Sequence, residues 1–147
     1  MIRPLGRRFF WVKSTGNIVA QRNEMSEGIE STKEEDFAVY VELRQYDPEA
    51  IEMTTFEHGQ YVEDFVQATS WRFDPETGEI VFSYPDPNDP EPQEPAYRKP
   101  LSVQVQALES DLGNLLLENA ADKATMATLE DTVGNLLLEL AALKGGA

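Results

Sequence analysis

The chain has 147 residues, enough for one modest globular unit and a further extended segment. Its 27 acidic and 12 basic side chains give a formal charge of −15, which argues against nucleic acid as a partner. Cysteine is absent, which excludes disulfides, thiolate catalysis and metal sites built on sulfur.

The opening Met1-Ile-Arg-Pro-Leu-Gly-Arg-Arg8 lacks the apolar run of a signal peptide, and Phe9-Phe-Trp-Val12 is too short to supply one. No stretch approaches membrane-spanning length, so a soluble species with no membrane partner is expected. Residues 1–22 carry Arg3, Arg7, Arg8, Lys13 and Arg22 and no acid, whereas most of the acidic excess follows. This basic arm is either a surface for an acidic neighbour, including another copy of the chain, or a basic edge strand.

Phe9 to Lys13 is aromatic and β-branched, Ser14-Thr-Gly-Asn17 supplies turn chemistry, and Ile18-Val-Ala20 follows, so a β-hairpin is expected. Asn23 to Ser31 reads as a polar loop. Thr32-Lys-Glu-Glu35 has capping-box spacing, and Phe37, Tyr40, Val41 and Leu43 continue at helical spacing until Asp47-Pro48. The sequence therefore predicts a helix from Thr32 through Arg44, with a strand as the alternative because Phe37, Val39, Val41 and Leu43 also alternate.

Ile51 to Glu57 reads as a strand, Gly59 as a turn, and Tyr61 to Gln67 is compatible with either helix or strand. Trp71-Arg-Phe73 and Ile80 to Tyr84 flank Asp74-Pro-Glu-Thr-Gly-Glu79, with Pro at the first corner and Gly where a left-handed residue is needed. That is a hairpin signature. Trp71, Phe73, Phe82 and Tyr84 are spaced to share one face, as core or, alternatively, as a carbohydrate platform.

Residues 85–100 are crowded with proline and acid. They can continue neither helix nor strand and are expected to form a semi-rigid polyproline spacer, with an SH3-type ligand as the alternative.

From Leu101 the apolar residues recur at steps of four and three. With Leu108 at d, Val105, Leu112, Asn119, Met126, Val133 and Leu140 fall at a, and Leu101, Leu115, Asp122, Leu129, Leu136 and Leu143 at d. Leu108 to Ala121 recurs as Leu129 to Ala142, an offset of 21 residues, which is three heptads and keeps each side chain on its face. One continuous helix is expected; the alternative is a helical hairpin turning near Asp122 to Thr125, where neither Gly nor Pro occurs.

In a parallel coil, g of one chain meets the e five residues later on its neighbour. Glu118 and Lys123 form such a pair, as do Glu139 and Lys144. Antiparallel packing on that seam would set g against g, opposing Glu with Glu. A parallel homo-oligomer follows. Leucine at most d sites and a single Asn at a favour two strands, whereas Leu116 and Leu137 at e widen the stripe and favour three. Leu117 and Leu138, at f, face outward, either as ordinary exposed leucines or as a contact for another protein.

Asn119 and Asp122 are the polar layers of the seam. They act as a register device or enclose a cation or water on the axis. Converging carboxylates at Asp122 favour the protonated form, so the coil is expected to gain stability as the pH falls towards mild acid.

The catalytic inventory is thin. His58 is the one histidine, and it sits in a turn-like stretch; Glu34/Glu35/Asp36 and Glu63/Asp64 are acidic pairs that the composition alone accounts for. No phosphate loop, nucleophile elbow or His-bearing metal motif occurs. No enzyme activity and no cofactor are expected. The fold class expected is an α+β head over residues 1–84, a proline-rich acidic linker over 85–100 and a long parallel coiled coil over 101–147.

Asp74-Pro-Glu-Thr-Gly-Glu-Ile-Val-Phe-Ser-Tyr84, the acidic proline stretch after it, and Asp111-Leu-Gly-Asn-Leu-Leu-Leu-Glu-Asn-Ala-Ala121 together resemble small XkdW-like proteins. Those are encoded in the tail modules of bacteriophages and prophages of Gram-positive bacteria. The resemblance covers about half of the chain and contributes no catalytic residues. It implies a virion structural component of a tail, baseplate or fibre, often trimeric, with other tail proteins as partners and assembly in the bacterial host cytoplasm. The alternatives are a host-surface carbohydrate-binding module that uses the aromatic head, or an assembly chaperone for a tail fibre.

Overall fold

A computed structural model describes residues 1–89, 91 and 94–146. The chain divides into two compact units, Met1–Gln104 and Val105–Ala147.

The first unit is rich in strands and organised by β2 (Arg8–Val12), which pairs antiparallel with β3 (Ile18–Arg22) on one side and β5 (Ile51–Thr55) on the other. Successive side chains of a strand point to opposite faces, so the Arg-Phe-Phe-Trp-Val run of β2 serves two cores at once. Phe9 and Trp11 enter a cluster with Phe65, Phe73, Ile80 and Phe82, while Phe10 meets Leu43 and Ile51 on the other side. The Trp11 and Phe73 rings stack with centroids 4.9 Å apart. The expected hairpin from Phe9 to Ala20 is present, with a register shift between Phe10 and Trp11.

The Phe10 side is covered by α1 (Lys33–Val39), whose start is the predicted capping box. The Glu35 amide donates to Thr32 Oγ1 at 3.3 Å, and the Thr32 amide donates to Glu35 Oε2 at 2.8 Å. The helix does not reach Arg44. Val39-Tyr40-Val41 combines β-branched and aromatic side chains that lose rotamer freedom in a helix. At Tyr40 the chain turns extended before a short 3-10 helix, Val41–Gln45, which carries the fully buried Leu43.

The other core is covered by α2 (Val62–Gln67) and by the hairpin of β6 (Ser70–Phe73) and β7 (Ile80–Ser83). The ambiguous Tyr61 to Gln67 stretch is thus helical, entered through a left-handed Tyr61 and burying Asp64 and Phe65. The hairpin turn forms as its residues dictate. The Gly78 amide donates to the Asp74 carbonyl at 2.7 Å, and Gly78 has φ +73°. Of the four aromatics expected on one face, Phe73 and Phe82 are fully buried, and Trp71 and Tyr84 pack against their cluster. They are core.

Part of the expected 23–31 loop is a strand, β4 (Met25–Gly28), paired antiparallel with β1 (Arg3–Leu5). Its polar Met-Ser-Glu-Gly sequence carries no strand signal, and backbone pairing with β1 overrides it.

The basic arm is largely consumed inside the unit. Arg8 is buried and donates to Thr55 Oγ1 (3.0 Å), the Ser31 carbonyl (2.8 Å) and the carboxylates of Asp36 and Glu30. Arg22 and Arg3 also reach Glu30, at 3.5 and 3.1 Å. Buried guanidinium charge requires such pairing.

The stretch expected as a spacer over 85–100 returns to the strand it left. Arg98 and Phe82 exchange backbone hydrogen bonds of 2.8 and 2.9 Å, Ser70 Oγ donates to the Tyr97 hydroxyl at 3.2 Å, and Pro100 is buried. The first unit therefore extends to Gln104. An unpaired edge on β7 explains the return, because its free amide and carbonyl at Phe82 need partners. Pro90, Pro92 and Gln93 of that stretch lie outside the described residues.

Candidate self-association face

Helix α3 (Leu101–Gly145) runs 45 residues, about 68 Å at 1.5 Å per residue. Its sequence is dominated by Leu, Ala, Glu and other good helix formers and holds no proline. No turn interrupts it near Asp122 to Thr125. The threonines on it bond within the helix: the hydroxyls of Thr125, Thr128 and Thr132 donate to the carbonyls of Ala121, Ala124 and Thr128 at 2.9–3.0 Å.

Helical geometry aligns Val105, Leu108, Leu112, Leu115, Met126, Leu129, Val133, Leu136, Leu140 and Leu143 along one side, with Asn119 and Asp122 midway. The apolar residues of this row are each at least half exposed in the single chain. An exposed apolar row of this length is the kind of surface that marks an interaction site. Glu118, Lys123, Glu139 and Lys144 are exposed, and among the described residues none of them forms an ion pair within the chain. Their charges remain free for a neighbour. Leu101 differs from the other seam residues. It lies in the first unit, half-buried.

The start of α3 holds a polar cluster that sequence reasoning missed. The Leu101 amide donates to the Tyr84 hydroxyl at 2.9 Å, and Tyr84 donates in turn to Asp64 Oδ1 at 2.7 Å. The Ser102 amide donates to the same Oδ1 at 3.2 Å, and the Ser102 hydroxyl to Oδ2. The amides of Val103 and Gln104 go to the Pro100 carbonyl, both at 3.1 Å. The first-turn amides that a helix leaves unpaired are thereby satisfied, two of them from outside the helix.

Burial alone would raise the Asp64 carboxyl, but the hydrogen bonds from Ser102 and Tyr84 outweigh it and hold its pKa below the usual value. Burial and the bond to Asp64 push the Tyr84 phenol up to about 12. In the sequence, Asp64 is one acid among many. Its only distinguishing mark is its place beside Phe65 in a segment whose helical phase was ambiguous.

Among the described residues, no group of three His, Cys, Asp or Glu side chains is placed to hold a metal, and no helix is long and apolar enough to cross a membrane. His58 is exposed in the turn after β5.

The long C-terminal helix has the length and the heptad spacing of a coiled-coil segment. Residues 84–146 match the family model described as the Lin0124 C-terminal coiled-coil domain. The match begins at Tyr84 and takes in the acidic proline stretch as well as α3. No curated protein and no solved structure matches the chain.

Proposed function

We propose that the protein is a structural component of a bacteriophage tail, baseplate or fibre, a homotrimer joined through a parallel coiled coil along α3 and working with other tail proteins in the virion. The observation that carries self-association is the exposed a/d row of α3, phased over its whole length by the 21-residue repeat. The match of residues 84–146 to a coiled-coil family model supports it. Parallel direction is supported by Glu118 with Lys123 and Glu139 with Lys144, and three strands by Leu116 and Leu137 at e. Placement in a tail rests on the resemblance carried by residues 74–84, the acidic proline stretch and the leucine-rich repeat. In this reading the protein catalyses nothing, takes no cofactor, and needs neither nucleic acid nor a membrane.

Light scattering on the full chain tests the reading. A three-chain mass is expected, falling to one chain in a Leu115→Lys/Leu136→Lys double variant. A wild-type mass of one chain at high concentration overturns it. Mass spectrometry of purified particles tests placement: presence supports a virion component, and absence points to an assembly chaperone.

A further inference from the structure

A parallel coil shifted by a whole number of heptads keeps a opposite a and d opposite d, so the apolar spacing of α3 does not by itself choose a register. The flanking charges remove the shorter shifts. With g of one chain meeting the e five residues later on its neighbour, a one-heptad shift brings Glu118 against Glu130, and a two-heptad shift brings Asp111 against Glu130. A shift of three heptads, the period of the repeat, passes this test. It sets Glu118 against Lys144 and Glu139 against Lys123, so both ion pairs survive. In the seam it matches Val105 with Met126, Leu108 with Leu129, Leu112 with Val133 and Leu115 with Leu136, all apolar.

The consequence of such a stagger is open-ended growth. Residues 105–122 of one chain would cover residues 126–143 of the next, and the other half of each seam would stay free for a further copy. Head-to-tail contacts that do not close on themselves build filaments.

The two copies of the repeat differ where this shift would be felt. Asn119 and Asp122 of the first copy stand where the second has Leu140 and Leu143. In register, the Asn119 amides meet one another, donor to acceptor, and the Asp122 carboxylates lie one layer on, about 4.5 Å along the axis. The polar groups then share one hydrogen-bonded section. In the stagger, Asn119 faces Leu140 and Asp122 faces Leu143, so each polar group is buried without a partner.

We infer that Asn119 and Asp122 hold the chains of the coil level by excluding the 21-residue stagger, and so keep self-association of α3 closed rather than filamentous. This rests on the parallel a/d reading above and names what selects its register.

The test converts the first copy to the second, as Asn119→Leu/Asp122→Leu in the full chain, which leaves every e and g charge in place. By sedimentation equilibrium the wild type is expected to hold a three-chain mass, and the double variant to exceed it and to grow with concentration. Register is read by disulfide cross-linking, since the chain has no cysteine of its own. Leu115→Cys and Leu136→Cys lie 21 residues, about 32 Å, apart on one helix. Chains carrying one or the other are co-expressed, oxidised mildly, and the linked peptides identified by mass spectrometry. In the otherwise wild-type chain only like positions are expected to link; in the Asn119→Leu/Asp122→Leu background a link between 115 and 136 is expected to appear. Growth without that link is unspecific aggregation and counts against the inference. A double variant that keeps three chains and links only like positions overturns the inference and leaves the a/d reading standing. A wild type that remains a single chain removes both.

Discussion

Asp64 and Ser102 are 38 residues apart in sequence, yet the Asp64 carboxylate accepts both the amide and the hydroxyl of Ser102. A short helix in the strand-rich unit thereby supplies the cap for the first turn of the longest helix in the chain. Capping from outside the helix does for α3 what Thr32 does for α1 from within the local sequence.

Replacing Asp64 by Ala leaves the Ser102 amide and the Tyr84 hydroxyl without their acceptor. A loss of about 1–3 kcal/mol of stability is expected, between that of an N-cap deletion and that of a buried unsatisfied donor. Urea unfolding followed by tryptophan fluorescence reads it, because both tryptophans lie in the first unit. An unchanged midpoint would show that the cap adds nothing.

The same cluster sets a pH dependence at both extremes. The folded Asp64 pKa lies below its ordinary value, so its contribution is present above about pH 4 and is lost as the pH falls through the folded pKa. Tyr84 is raised from 10.0 to about 12, so the unfolded chain gives up this proton first, and stability is lost as the pH rises across that window. Melting curves are expected to show a shallower acid limb in Asp64→Ala and a shallower alkaline limb in Tyr84→Phe, each relative to wild type.

Arg8 is a buried cation of the first unit, held by Asp36 and Glu30. Arg8→Ala strands the Asp36 carboxylate in the interior, where a broken buried pair costs about 3–5 kcal/mol. The measurement is chemical denaturation, and a loss below about 1 kcal/mol would mean that water replaces the guanidinium at no great cost.

Asp122 occupies a d site of the proposed seam. Asp122→Leu is expected to raise the melting temperature of the oligomer, because at least about 1 kcal/mol of polar burial per strand is removed. The strand number becomes less well specified with the polar layer gone, so a broadened mass distribution is expected alongside it. A lower melting temperature would mean that Asp122 makes a favourable contact in the assembly.

Elements with strong local chemistry were legible in the sequence. The aromatic run of β2, the Asp74 to Glu79 turn, the Thr32 capping box and the heptads of α3 each state their own conformation within a few residues. What was illegible depends on partners far along the chain. β4 is a strand because β1 lies beside it, Asn23 to Ser31 having no periodicity of its own. Val39-Tyr40-Val41 satisfies both helix and strand spacing, and the need to place Leu43 in the Phe10 core decides it. Of the candidate site, the a/d row and its charges were read directly from the sequence. The Asp64, Tyr84 and Ser102 cluster was not, because nothing in the acidic composition marks one carboxylate as buried, and proline content hid the return of Tyr97 to Ser102.

That return has a practical side. With Arg98 stitched to Phe82, the two ends of the acidic proline segment are tied to one point on a strand, and closing a longer loop costs only slowly more entropy. An affinity tag or fluorophore spliced among residues 86–94 would leave both the strand before it and the helix start after it in place, giving this protein a natural port for labelling.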